Sequence, residues 1–152
     1  MNFIGIDPGL KGGIAVLFLP SGEYRATEMP LKLQHLDIQN IWNTMPADIK
    51  NSFCIIEQLL EMPYQGVKAT TKAAVNYGKV LAVLELMEIP YQIVHPSKWK
   101  KQFQLIGKSK YESAAVAKRL FPNMEFVTAR GRLMDGMAEA LLLAEYARRI
   151  YK

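Results

Sequence analysis

The sequence predicts an α/β protein built on a mixed sheet flanked by helices, and three observations carry that expectation. Two short apolar runs near the start are each halted by a turn cluster, Pro8-Gly9 and Pro20-Ser21-Gly22, as in strands joined by hairpins. A strand-helix-strand unit follows between residues 53 and 95, an arrangement that favours parallel pairing. The chain then closes with two long helical patterns. With 152 residues, half of them apolar, it is long enough for one core and too short for two, so a single domain over 1–152 is expected.

Phe3 to Asp7 and Gly13 to Leu19 read as the first two strands and Glu23 to Glu28 as the third. Leu33, Leu36, Ile41 and Met45, with Ile38 and Trp42 beside them, are spaced for one helical face ending near Pro46. Phe53 to Gln58 is short, apolar and rich in Ile, as a strand buried on both faces would be. A loop with Pro63 and Gly66 leads to a helix over Thr70 to Met87, and Tyr91 to His95 is the fifth strand. Lys110 to Leu120 and Leu133 to Tyr151 complete the chain as helices. The Thr70 helix carries more apolar surface than one core face requires. Ala73, Tyr77, Val80, Leu81, Leu84 and Met87 form a stripe that Ala74, Val75, Val83 and Leu86 extend. Either a second face meets another subunit or the helix is covered by its own domain.

The formal charge is +5, and it is uneven: from Pro96 to Arg132 nine Lys or Arg stand against Glu112 and Glu125, 9 − 2 = +7. Such a stretch fits either a polyanion partner or a solvated Lys-rich surface. Cys54 is the one cysteine and lies in an apolar run, which argues against an internal disulfide or a zinc cluster. The first ten residues hold Asp7 and no basic leader, and no apolar run approaches the ~18 residues that span a bilayer. A cytoplasmic protein without a membrane partner is the expectation.

Asp7 ends the run Phe3-Ile4-Gly5-Ile6, and Glu57 ends Phe53-Cys54-Ile55-Ile56. On adjacent parallel strands the two acids would stand about 5 Å apart, beyond the carboxyl ends where ligands of such sheets gather. Carboxylates that close either share a proton or hold a cation. Asp135 and Glu139 are four apart on the last helix and so on one face. Arg132 is spaced to partner Asp135, whereas Glu139 has only Leu142 and Leu143 at the following helical positions. Alternatively Asp135 is a helix-start residue and Glu139 points to water. Four acids from three segments, without clustered His or Cys, match Mg²⁺ or Mn²⁺ and not zinc. The chemistry that follows is phosphodiester hydrolysis assisted by two ions. His35 and His95 have no spacing to any of these acids and read as structural.

Gly5-Ile6-Asp7-Pro8-Gly9, Ile56-Glu57-Gln58 and Asp135-Gly136-Met137-Ala138-Glu139-Ala140, in that order, resemble the three metal-binding motifs of RuvC-type Holliday junction resolvases, and the segment from Pro96 through Trp99 to Phe121-Pro122 is also similar. The resemblance implies an RNase H-like fold with a mixed five-stranded sheet, a homodimer, and paired symmetric nicks in a four-way DNA junction. It implies Asp7, Glu57, Asp135 and Glu139 as catalytic metal ligands for Mg²⁺, with Mn²⁺ able to substitute, two ions per site and no small-molecule cofactor. It also implies basic contacts to DNA phosphates. Lys100, Lys101, Lys108 and Lys110 sit in the matching region, with Arg130 and Arg132 at the end of the same basic stretch. Many bacterial members have two acids, or a His and an acid, three apart in the last motif, whereas Asp135 and Glu139 are four apart, a departure that bears on the second ion. Where members carry an aromatic wedge this chain has Leu60; Tyr64 is the nearest aromatic, free either to stack on bases or to pack beside Pro63. The other readings are a nuclease of this fold acting on flaps, hybrids or other branched nucleic acid, and a junction-binding protein without catalysis. The setting implied is a bacterial or phage-infected cell.

Overall fold

The computed structural model describes residues 1–33, 35–60 and 66–151. Among these described residues seven strands and five helices follow one another as β1 (Asn2–Asp7), β2 (Gly13–Phe18), β3 (Tyr24–Glu28), β4 (Leu31–Lys32), β5 (His35–Leu36), α1 (Ile38–Thr44), β6 (Ser52–Glu57), α2 (Val67–Leu86), β7 (Tyr91–Val94), α3 (Pro96–Gln102), α4 (Lys110–Leu120) and α5 (Asp135–Ile150). Five strands make the expected mixed sheet, ordered β3-β2-β1-β6-β7. The hairpin-linked strands β1, β2 and β3 pair antiparallel, while β6 runs parallel to both β1 and β7.

Side chains alternate between the two faces of a strand, and the core divides accordingly. Phe3, Ala15, Leu17 and Ile55 pack under α5 with residues of α3 and α4. Ile4, Ile6, Ile14, Val16, Cys54 and Ile56 pack against α2 and α1 on the other face. Gly5 faces α5, and a methyl there would collide with the backbone of Ala140, Leu143 and Ala144. Absence of a side chain therefore lets α5 lie directly on the central strand. Gly136 plays the same part at the start of α5, where a Cβ would run into the backbone of Lys11 and Gly12. The consequence is that the first turns of α5 sit over the carboxyl end of β1.

Two expectations are corrected. The helix expected from Leu33 begins only at Ile38, and Leu31–Lys32 and His35–Leu36 instead pair as a two-stranded antiparallel ladder. Asp37 stops the helix from reaching further back: its carboxylate caps Asn40 N–H at 3.2 Å, which fixes the first turn. Leu33 is 88% exposed at a positive φ of 50°, a turn residue and not part of an apolar face. The second difference is α3, a helix that the reading of isolated strands passed over. His95 accepts a hydrogen bond from Ser97 N–H through Nδ1, and Pro96 stands at the first helical position, where its missing N–H costs nothing. That cap agrees with a structural His95. Helix α2 begins three residues earlier than expected, at Val67. Among the described residues no helix is long and apolar enough to cross a membrane.

Candidate metal centre

Period-two alternation decides where the two strand acids point. Asp7 shares its face of β1 with Phe3 and Gly5, and Glu57 shares its face of β6 with Phe53 and Ile55, so both turn toward the α5 side of the sheet. Parallel register, with Ile6 opposite Ile56, makes Asp7 and Glu57 neighbours at the carboxyl ends. Asp135 and Glu139 come down onto the same spot from α5, one turn apart, because Gly136 and Gly5 let that helix close on β1. The acids are near enough for the strand pair to feel the others: Glu139 and Asp135 push the Asp7 pKa upward, and Asp7 and Glu139 push that of Glu57.

Burial is the larger cause of both shifts. Loss of water disfavours the charged carboxylate and lifts Asp7 to about 6, against the lowering effect of a Gly9 N–H bonded to Oδ1 at 3.1 Å. Glu57 rises to about 7, first through burial and then through Asp7, although the Trp99 indole N–H bonded to Oε2 opposes this. Glu139 is buried and held through Oε1 by the Ser113 hydroxyl at 3.2 Å and Lys100 Nζ at 3.4 Å. Asp135 receives the ammonium of Lys110 on Oδ2, and that bond lifts the Lys110 pKa. Each acid therefore has one oxygen engaged. Among the described residues Asp7 Oδ2, Glu57 Oε1, Asp135 Oδ1 and Glu139 Oε2 have no hydrogen-bond partner.

These four oxygens are hard donors, the kind that Mg²⁺ and Mn²⁺ take, and a cation among them would offset the burial and the repulsion that raise Asp7 and Glu57. The donor set thus fits the divalent ions expected from the sequence. Among the described residues no three His, Cys, Asp or Glu side chains converge as a finished cation cage. Positive charge in the cluster comes instead from Lys100 on Glu139 and Lys110 on Asp135.

The remaining basic residues differ in how free they are. Lys101 is exposed on the last turn of α3. Lys108 is exposed and 3.7 Å from Glu112, a solvent-screened pair. Arg132, expected near Asp135, pairs bidentately with Glu28 at 2.6 and 2.8 Å. Spacing along one helix overlooked an acid on a neighbouring strand. Arg130 is exposed beside a turn in which Thr128 N–H donates to Arg132 and Gly131 N–H donates to Thr128. Tyr64 lies outside the described residues, and Leu60 is partly exposed after the Glu57 strand. Two contributors to the cluster were missed: Trp99 and Ser113. Their signals were faint, a lone Trp among lysines and a Ser on the Ala114-Ala117 face of α4.

No protein-family model and no curated protein matches this chain by sequence. Solved structures do. The Thermus thermophilus RuvC structure is similar at 21% identity and a TM-score of 0.62, over 98% of this chain and 96% of that one. T. thermophilus RuvC in complex with Holliday junction substrate is similar at 16% identity and a TM-score of 0.66, over 99% and 97%. Over nearly its whole length, this chain therefore has the fold of RuvC.

Proposed function

We propose that the chain is a single-domain, structure-selective endonuclease that resolves four-way DNA junctions by metal-dependent phosphodiester hydrolysis. One observation supports this reading: four carboxylates from three distant segments lie around the carboxyl ends of β1 and β6, near enough to raise the pKa values of Asp7 and Glu57, each with one oxygen unengaged among the described residues, on a RuvC fold. That fold is also seen with a Holliday junction bound in T. thermophilus RuvC, which supports branched DNA as the substrate.

Asp7, Glu57, Asp135 and Glu139 would hold the ions. A divalent cation held there would supply Lewis acidity toward the scissile phosphate and lower the pKa of an attacking water. The chain's own residues orient and charge-balance. Gly9 N–H fixes one oxygen of Asp7, Ser113 fixes one of Glu139, and the buried surroundings keep bulk water from screening the site. Lys100 and Lys110 neutralise α5 acids in the free protein, and in the complex their ammonium groups are placed to meet phosphate oxygens beside those acids. Lys101, Lys108, Arg130 and Arg132 widen the basic surface for DNA, with Arg132 the least available because Glu28 already holds it. Outward residues of α2, among them Val75, Ala82 and Leu86, form an apolar face suited to a second copy of the chain. Two copies would bring two sites to two opposed strands, in the cytoplasm of a bacterial or phage-infected cell.

Gel cleavage of mobile and fixed four-way junctions, flaps, RNA–DNA hybrids and linear duplex, each with Mg²⁺ and with chelator, tests this reading. Paired nicks in junctions that stop with chelator are expected. Asp7→Asn and Glu57→Gln should lose cleavage and keep junction binding. Retained Mg²⁺-dependent cutting by either variant refutes the site. Faster cutting of flaps or hybrids moves the substrate, and junction binding without cutting in Mg²⁺ or Mn²⁺ makes the chain a binding protein.

A further inference from the structure

The four acids and their lysines leave one feature of the cluster without a role. Trp99 is fully buried on α3, and its single polar atom, Nε1, donates to Glu57 Oε2 at 2.6 Å across 42 residues of sequence. Its ring meets Phe103 edge-on at 6.4 Å and carries the Lys100 ammonium 5.1 Å from its centroid. Lys100, the next residue, reaches Glu139. Consecutive residues of one short helix therefore grip two acids from different elements, β6 and α5. The His95 cap and Pro96 start that helix directly at the end of β7, beside β6, which is what brings the indole to Glu57.

We propose that Trp99 is a positioning residue: its indole N–H pins Glu57 through Oε2, so that Oε1 is the oxygen offered to a cation. The inference rests on Glu57 being a metal ligand. A glutamate has several rotatable bonds, and holding one rotamer has an entropic cost. Glu57 is also repelled by Asp7, which favours turning it outward. Indole N–H is a donor only and does not titrate, so it favours an ionised, fixed carboxylate without competing for the ion. Phenylalanine would fill much of the space and lack that function.

Binding of Mg²⁺ can be followed apart from cleavage. The chain has two tryptophans, so Trp42→Phe leaves Trp99 as the sole indole. Its emission should change saturably with Mg²⁺, and Glu57→Gln in that background should abolish the response. Replacing Trp99 by benzothienylalanine keeps the bicyclic ring and removes the N–H. Calorimetry should then give Mg²⁺ affinity lowered by about tenfold or more, with junction affinity and melting temperature kept; Trp99→Phe should show the same loss. Unchanged Mg²⁺ affinity in the isostere, or an emission indifferent to Mg²⁺ in a chain that still cuts junctions, overturns the role of Trp99 and leaves the nuclease reading standing. A chain that neither binds Mg²⁺ nor cuts overturns both.

Discussion

Helices α5 and α2 cover opposite faces of one sheet, yet they are used differently. Eleven of the sixteen residues of α5 are buried, including Glu139 and Glu145, whereas four of the twenty in α2 are. On the α5 side every buried carboxylate has a partner: Glu139 has Ser113 and Lys100, and Glu145 has Arg148 and Arg149. The α2 side holds mostly apolar residues under the helix, the exception being Asn76, which is buried without a hydrogen-bond partner among the described residues, and Val75 at 54% and Leu86 at 74% exposure lie on its outer surface. Burying a polar group costs free energy unless it is satisfied, a cost met on the α5 side by these partners and left standing at Asn76 on the α2 side. The two helices thus show a closed side whose buried carboxylates are all partnered and a more open, largely apolar side.

The sharpest way to break this comparison is to push α5 away from the sheet. Gly5→Ala places a methyl against the backbone of α5, which no side-chain rotation relieves. It should destabilise the protein by about 3 kcal/mol or more, read as a shifted urea midpoint, and should displace Asp135 and Glu139 from Asp7. Near wild-type stability would mean that α5 does not pack as closely as described. Next in size is the α2 face. Val75→Glu puts a charge on the proposed dimer surface and should weaken self-association by about 2 kcal/mol or more, seen by sedimentation. An unaltered melting temperature at low protein concentration would accompany it, because Val75 is already solvated in the single chain. A monomeric parent chain would remove the second copy from the proposal.

These contrasts were only partly legible in the residues themselves. Asp7 and Glu57 stood out because an acid at the end of an apolar strand is a local pattern, and Asp135 and Glu139 because four residues on a helix define a face. The pairing of β4 with β5 escapes the sequence because Leu33 and Leu36 continue the helical spacing of Ile41 and Met45, and spacing carries no sign of Leu33 being exposed. Trp99 to Glu57 and Arg132 to Glu28 bridge 42 and 104 residues, and contacts of that range depend on sheet order and helix docking. No periodicity contains them. The orientation of the acids was foreseeable only as far as strand parity; the lysines seated on two of them were not.

A third test uses charge within the closed side. Asp7 and Glu57 titrate at about 6 and 7, above the ordinary carboxylate values of 3.8 and 4.5. A folded pKa above the unfolded one means that the folded chain binds more protons, so stability is fullest below pH 4 on this account and declines as pH rises through about 6 to 7. In chelator the melting temperature should therefore fall between pH 5 and 8. Mg²⁺ binding requires the ionised acids, so the stabilisation by Mg²⁺ should grow over the same interval. A melting temperature in chelator that climbs from pH 5 to 8, or an Mg²⁺ effect independent of pH, would show that the four acids do not share one poorly solvated site.

The smallest expected effect distinguishes basic residues by what already holds them. Lys108 is solvated and loosely paired with Glu112, so a phosphate can take its charge with little loss; Arg132 must first give up two hydrogen bonds to Glu28. Each phosphate neutralised on duplex DNA contributes about 0.9 to the slope of log affinity against log salt. Lys108→Ala should thus lower the measured slope by close to one, and Arg132→Ala should change it by less. Fluorescence anisotropy of a labelled junction across a salt series, in chelator so that no cutting intervenes, separates the two. Equal changes would mean that the Glu28 pair opens on DNA, and a larger change for Arg132 would place the DNA path along β3 and the start of α5 rather than over the start of α4.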